Sequence, residues 1–424
     1  MKKYNAQLHG LQINRKRMDL RLKELSVFGG NSTGGIDRNF GSQADLQARR
    51  WLLTMWEKAG LEVRVDAAAN LWAQRPGMEN LPPIVFGSHH DTVPNGGAYD
   101  GAAGVILATE VAQCLIENDI RLRHPFSVIS FTGEEPNPFG VSTLGSKLLT
   151  GKLLPEQMAE SVNSETGESL ADALAHAGGN FSRLVADQCQ VGDLAAFVEC
   201  HIEQGRVLES CGRPLGIVRE ITGIYRETIH IIGDANHAGT TLLADRHDAL
   251  LAASELVLAL EEVVLQSGRN DLVGTVGRIS VYPNSTNIIP GDVKLILELR
   301  SPDRQAIDKA LLQLEPRLCE VIHKRDVHIS RKVLYDQPPV PMSEQVQQIL
   351  GQAVCSLKET APFVTSMAGH DAGHITSIAP TGMLFVRTPN GHSHCPRERA
   401  DLDDLQKAGD TLLTAVLMLD EELD

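Results

Sequence analysis

The segment Gly87-Ser88-His89-His90-Asp91 sets a histidine two residues ahead of a carboxylate, Asp100 follows, and the adjacent pair Glu134-Glu135 comes later. Imidazole and carboxylate are the side chains that ligate divalent cations, so this set can build a two-cation hydrolytic centre. His89 is the first candidate ligand. Asp91 can accept the other ring N–H of His89, fixing its tautomer and raising the basicity of the ligating nitrogen. Asp100 precedes a Gly/Ala run that opens a helix, and a carboxylate there can bridge two cations. Of Glu134 and Glu135, one can bind a cation while the other takes a proton from water; spacing alone does not say which.

The elements that must carry these residues are legible as short apolar runs. Pro83-Ile84-Val85-Phe86 reads as a buried strand delivering His89, and Phe126 to Phe131 as a strand ending at Glu134-Glu135. Ala196-Phe197-Val198-Glu199-Cys200 runs into His201, and Met383-Leu384-Phe385-Val386 precedes Gly391-His392-Ser393-His394. One His-x-Asp or one Glu-Glu pair is ordinary solvated surface. Four strands that each end in a ligand-type residue are a constellation, because sites in open α/β sheets lie outside the carboxyl ends of the strands. His392 and His394 share a face if the strand continues, so both stay candidates for the last ligand. His90 should point away from His89 and act structurally. Cys200 and Cys395 adjoin proposed ligands but read as packing residues. His370-Asp371, in a Gly-flanked loop, is either a substrate wall or a turn held by the aspartate.

Taken together, these segments resemble the M20-type di-zinc metallohydrolases. Within them they resemble the N-carbamoyl-L-amino acid hydrolase and allantoate amidohydrolase group, the hydantoinase/carbamoylase amidases. The resemblance spans nearly the whole chain: Gly-Ser-His-His-Asp-Thr-Val at 87 to 93, Glu134-Glu135, His-Ile-Glu-Gln-Gly at 201 to 205, Asn236-His237-Ala238-Gly239-Thr240-Thr241, Asn287-Ile288-Ile289-Pro290-Gly291, Ala368-Gly369-His370-Asp371-Ala372 and Ser393-His394. It implies two divalent ions per subunit, Zn²⁺ first, with Mn²⁺ or Co²⁺ as alternatives. Asp100 would bridge them, His89 and His201 completing one ion and Glu135 and His394 the other, with Glu134 as general base. It also implies that Gln204, His237, Asn287 and Arg300 surround the substrate, with Gly369 and His370 beside them. A histidine at 201, where many M20 peptidases place a carboxylate, favours an amidase.

The implied reaction is hydrolysis of the carbamoyl or ureido C–N bond of a small ureido acid such as an N-carbamoyl-L-amino acid. Allantoate or ureidoglycolate hydrolysis by the same centre is the alternative; an M20 dipeptidase or aminoacylase, and a non-catalytic metal-binding protein, are further rivals. Where the group usually continues Gly-x-Arg-Phe after Glu-Glu, this chain has Pro136-Asn137-Pro138-Phe139-Gly140. Leu242 stands where proline is common, and Met367 where a small residue is common. These departures fall near the expected substrate pocket and not on the ligands, so they bear on which substrate is taken.

A chain of 424 residues, with 42% apolar and 22% charged content, suits a multi-domain globular enzyme. A net charge of -15 without a basic stripe argues against nucleic acid. No apolar run is long enough to span a membrane, Met1 to Gln7 lack a secretory core, and 7 cysteines without spacing pattern suit a reducing, cytoplasmic compartment. Alternating helix and strand patterns, from a helix at Leu46 to Lys58 onward, predict an α/β catalytic domain with a central, mostly parallel sheet flanked by helices. Its two parts are 1–215 and 331–424. From about Gly216 the pattern becomes β-α-β-β-α, predicting an inserted α+β, ferredoxin-like dimerisation domain over 216–330. The resemblance implies a homodimer in which His237 reaches the neighbouring subunit's metals. After Pro338-Pro339-Val340-Pro341 a helix, a strand and a closing helix from Asp401 to Leu419 complete the first domain.

Overall fold

The computed structural model describes residues 10–423; the expectation for Met1 to Gln7 lies outside the described residues. The chain divides into two compact units, Met1–Arg219 with Met342–Asp424, and Glu220–Pro341.

In chain order the larger unit provides β1 (Glu62–Val65), β2 (Leu71–Arg75), β3 (Ile84–His89), β4 (Phe126–Phe131), β5 (Ala196–Ile202) and most of β6 (Leu215–Ile221), whose Glu220 and Ile221 belong to the smaller unit. The smaller unit follows with β7 (Gly223–Ile232), β8 (Val273–Tyr282), β9 (Asp292–Ser301), β10 (His328–Gln337) and β11 (Val340–Pro341), after which the larger unit resumes with β12 (Phe363–Ser366) and β13 (Thr381–Val386).

In the larger unit the strands lie in the order β1-β2-β4-β3-β5-β13-β6, with β12 beside β6. The middle of the sheet, β4-β3-β5-β13, is parallel, and antiparallel pairs close both sides. The four parallel strands are buried along their full length, which explains why they read as unbroken apolar runs: both faces are covered. The helices Ala102–Glu117 and Leu402–Glu422 supply much of that cover, packing Ile106, Leu107, Leu412 and Val416 with Phe86, Val198 and Leu384. The α/β expectation is borne out, and so is the closing helix. The helix Arg15–Val27 was not anticipated; its buried Met18, Leu22 and Leu25 fall on one face, with the polar Arg21 buried among them.

The smaller unit runs β7, helix Ala249–Gln266, β8, β9, helix Arg304–Arg325, β10. Its described residues form a four-stranded antiparallel sheet ordered β10-β7-β9-β8. In β9, Val293, Leu295, Leu297 and Leu299 alternate inward against Leu256, Leu260 and Leu314 of the helices. β10 continues the unit past residue 330, and β11 pairs with Ile221 and Glu220. Among the described residues no helix is long and apolar enough to cross a membrane.

Candidate metal centre

Because β3, β4, β5 and β13 are parallel and in register, their carboxyl ends fall together: His89 is level with Phe131, and His201 with Phe385. Just beyond these ends the chain delivers Glu134 and Glu135 after β4 and His394 after β13. Asp100 comes from the turn ahead of helix Ala102–Glu117. Two glycines allow that approach. Gly104 packs the helix onto β5, where a Cβ would lie 2.1 Å from the Cys200 carbonyl. Gly101, at φ +61°, leaves room for the His89 ring, which a Cβ would meet at 2.4 Å.

Asp100 is the centre of the arrangement. Its Oδ1 lies 3.1 Å from His201 Nε2 and 3.4 Å from His89 Nε2, while its Oδ2 lies 3.3 Å from His394 Nε2. His394 Nε2 is in turn 3.1 Å from Glu135 Oε1. Among the described residues two groups therefore gather ligand atoms closely enough for a cation, His89-Asp100-His201 and Asp100-Glu135-His394. His392 belongs to neither.

The donor chemistry fits divalent cations. His89 Nδ1 is 3.1 Å from the Asp91 carbonyl, and His201 Nδ1 is 2.9 Å from the Ile202 carbonyl. A carbonyl only accepts, so Nδ1 carries a hydrogen, and Nε2 of each histidine is the nitrogen left to take a cation, whether a proton or a metal ion. Those two nitrogens face each other at 3.5 Å beside a carboxylate oxygen, a donor set for a metal ion more than for a hydrogen bond. The field agrees. Burial alone would lower His201, but Asp100 outweighs it and raises it; burial likewise opposes the rise of His89, which Glu134 and Asp100 hold well above its ordinary value. Hydrogen bonds to Asp100 and Glu135 push His394 up to about 11. Burial would raise Asp100, yet His201 and the other imidazoles hold it well below the carboxylate range. Such a pocket favours cations.

Glu134 is buried, with its Oε2 3.7 Å from His89 Nε2. Burial pushes its carboxyl well above the usual range, and Glu135 and Asp371 add to the rise against the opposing pull of His89. A carboxylate so placed holds a proton readily. Asp91 works differently from expectation: the ring N–H of His89 meets the main-chain carbonyl of Asp91, whose carboxylate stands 3.5 Å away. Its two oxygens instead accept the backbone N–H groups of Glu134 and Glu135, at 3.2 and 3.1 Å, and so fix the glutamate pair.

Gln204 donates from Nε2 to Asp100 Oδ2 at 2.7 Å, from a backbone at φ +59°. Gly369 is half-buried. His370 is buried, its ring 4.5 Å edge-on to that of His201 and its Nε2 2.8 Å from Ser366 Oγ; it backs a ligand. His90 is fully buried between Asp45 and Ser130, as expected of a structural histidine. Asn137, in the departing segment, accepts the Phe139 N–H at 3.0 Å and donates to the Val141 carbonyl at 2.6 Å, tying the loop beyond Glu135.

In the smaller unit, His237 and Asn287 are neighbours: His237 bridges to Ile288, and the Ala238 N–H donates to the Asn287 carbonyl at 2.9 Å. Both side chains are exposed. Arg300 contacts Glu298, Nε to Oε1, at 2.6 Å, whereas Asp303 is engaged by Arg269 at 2.9 Å.

Sequence reading missed Glu199. Fully buried, it accepts Ser88 Oγ at 2.7 Å and the Ala372 N–H at 2.8 Å, locking β3 and β5 to the loop after His370. The signal was present: a glutamate two residues before His201 on an otherwise apolar strand shares its face.

A family model, Peptidase family M20/M25/M40, matches residues 85–418. The N-carbamoyl-L-amino acid amidohydrolase of Geobacillus stearothermophilus is 35% identical, over 96% of this chain and 99% of its own length. The ureidoglycolate hydrolase of Arabidopsis thaliana is 33% identical, over 93% of this chain and 84% of its own. The crystal structure of a hydantoinase/carbamoylase family amidase from Burkholderia multivorans superposes with a TM-score of 0.86 at 28% identity, covering 98% of this chain and 100% of that one.

Proposed function

This chain belongs to peptidase family M20/M25/M40, among its hydantoinase/carbamoylase amidases, and from that premise we propose that it hydrolyses the carbamoyl C–N bond of a small ureido acid such as an N-carbamoyl-L-amino acid. The observation that carries the reading is the division of Asp100, one oxygen toward His89 and His201 and the other toward His394 and Glu135, with Glu134 alongside.

His89, His201 and Asp100 would hold one cation, and Asp100, Glu135 and His394 the other; nitrogen and oxygen donors suit Zn²⁺ first and Mn²⁺ or Co²⁺ as well. When bound, such a pair polarises a carbonyl oxygen and acidifies water. The remaining work belongs to this chain's own groups. Glu134 takes the proton of the attacking water and returns it to the departing nitrogen, and its raised proton affinity supports that role. Asp91 keeps the glutamate pair oriented. Gln204, Asn287, Arg300 and Gly369 orient the ureido acid, with His370 behind His201. His237 donates to the oxygen on which charge develops, acting on the neighbouring subunit of a homodimer. Water and an N-carbamoyl amino acid then give the amino acid, CO₂ and ammonia. All 7 cysteines are free thiols, which supports a cytoplasmic setting.

The ureidoglycolate hydrolase relative supports a second reading, in which the same centre acts on allantoate or ureidoglycolate. An ammonia-release panel over N-carbamoyl-L-amino acids, allantoate, ureidoglycolate and dipeptides tests both. Turnover confined to dipeptides would overturn them.

A further inference from the structure

Glu398 stands far from Asp100 in sequence, yet its buried carboxylate is built around it. One oxygen accepts the backbone N–H groups of Tyr99 and Asp100, at 2.8 and 3.0 Å. The other lies 3.2 Å from Ser393 Oγ, which is itself 2.8 Å from Asp100 Oδ2. The Glu398 N–H donates to the Cys395 carbonyl at 3.0 Å, closing the turn in which His394 takes φ +57°. Room for the carboxylate comes from Gly97, where a Cβ would lie 2.0 Å from Glu398 Oε1.

We propose that Glu398 is a positioning residue that fixes the Asp100 peptide and the His394 turn relative to each other, so that one carboxylate can serve both cation positions. The proposal rests on the two-cation reading above. A carboxylate accepting two successive N–H groups holds the peptide from which Asp100 projects, and charge-assisted bonds of this kind are the stiffer ones. His89 and His201 are anchored independently on β3 and β5. The turn carrying His394 has no strand beneath it, and Glu398 braces it through Ser393. Loss of Glu398 therefore falls on the cation that Asp100 shares with Glu135 and His394.

The test is zinc binding by the full-length chain, dialysed to equilibrium against zinc buffers and read by elemental analysis. Wild type should take two equivalents. Glu398→Ala should keep one equivalent within about threefold of its affinity and weaken the other by about 10- to 100-fold, the range seen when groups supporting metal ligands are removed. Glu398→Gln, whose amide oxygen can accept both N–H groups and whose NH₂ can donate to Ser393, should bind within about threefold of wild type. Gly97→Ala keeps the carboxylate but pushes it aside, and should behave like Glu398→Ala; it carries the test if the latter does not fold. Two equivalents of unchanged affinity in Glu398→Ala, or equal weakening in Glu398→Gln, would overturn the positioning role. Fewer than two equivalents in the wild type would instead overturn the two-cation reading, and the proposal with it.

Discussion

The backbone N–H of Thr143 donates to the carbonyl of Glu134 at 2.7 Å, from a residue at φ +52°. A β-branched side chain in that left-handed region costs about 1–2 kcal/mol, and the Thr143 hydroxyl is held there by the Ser142 carbonyl at 2.7 Å and by His374 Nε2 at 2.9 Å. The strained residue thus braces the peptide of the proposed base. Thr143→Ser, keeping both contacts, should leave kcat within about twofold. Thr143→Ala should lower kcat by about tenfold with KM little changed, since the base shifts while substrate contacts stay. Steady-state kinetics on the preferred ureido acid decide it; an alanine variant as fast as wild type would remove the brace from the account.

The glutamates should separate cleanly. Glu134→Gln is expected to keep both cations and lose about 10²- to 10⁴-fold in kcat, the usual contribution of a general base. Glu135→Gln is expected to lose occupancy of one cation as well. Metal content measured alongside turnover distinguishes them, and normal turnover by the Glu134 variant would mean that the base is misassigned.

His374 predicts an acid-sensitive fold. Burial, with Lys147 and Lys152 adding to it, lowers this histidine to about 3 from an ordinary 6.5. Between those values the unfolded chain binds a proton that the folded chain does not. The stability from this group is therefore complete above about pH 6.5 and is lost as pH falls towards 3, by up to about 1.4 kcal/mol per pH unit. Denaturant unfolding across that window should show a shallower acid loss for His374→Gln than for wild type. Parallel curves would mean that His374 is not neutral in the fold.

Much of this site was legible because rigid strands announce themselves: the runs before His89, Glu134, His201 and His394 are apolar enough to be strands and end in ligand chemistry. What stayed hidden was held by tertiary contact. Glu398 owes its place to backbone N–H groups 299 and 298 residues earlier in the chain, and a glutamate after a turn carries no mark of that. Thr143 has no local sign of a positive φ. Arg21 lies on the buried face of helix Arg15–Val27, where Glu110 pairs with it, so a charged residue interrupts the apolar stripe that would mark the helix in the sequence. Asp91 was recognised as a supporting residue, but its carboxylate serves the glutamate pair while its main-chain carbonyl serves His89.

The proposed sharing of sites between subunits predicts complementation. Glu134→Gln and His237→Ala, unfolded and refolded together, should form about half mixed dimers, each with one repaired site, and so regain about a quarter of wild-type activity. Mixed dimers confirmed by mass but inactive would show that His237 serves its own chain or none.

The most direct measurement is activity against cation content. Metal-free chain should be titrated with Zn²⁺ while ammonia release from an N-carbamoyl-L-amino acid is followed. The account predicts that turnover rises to its maximum only as the second equivalent binds. Full turnover at one equivalent, with no further rise at two, would contradict it.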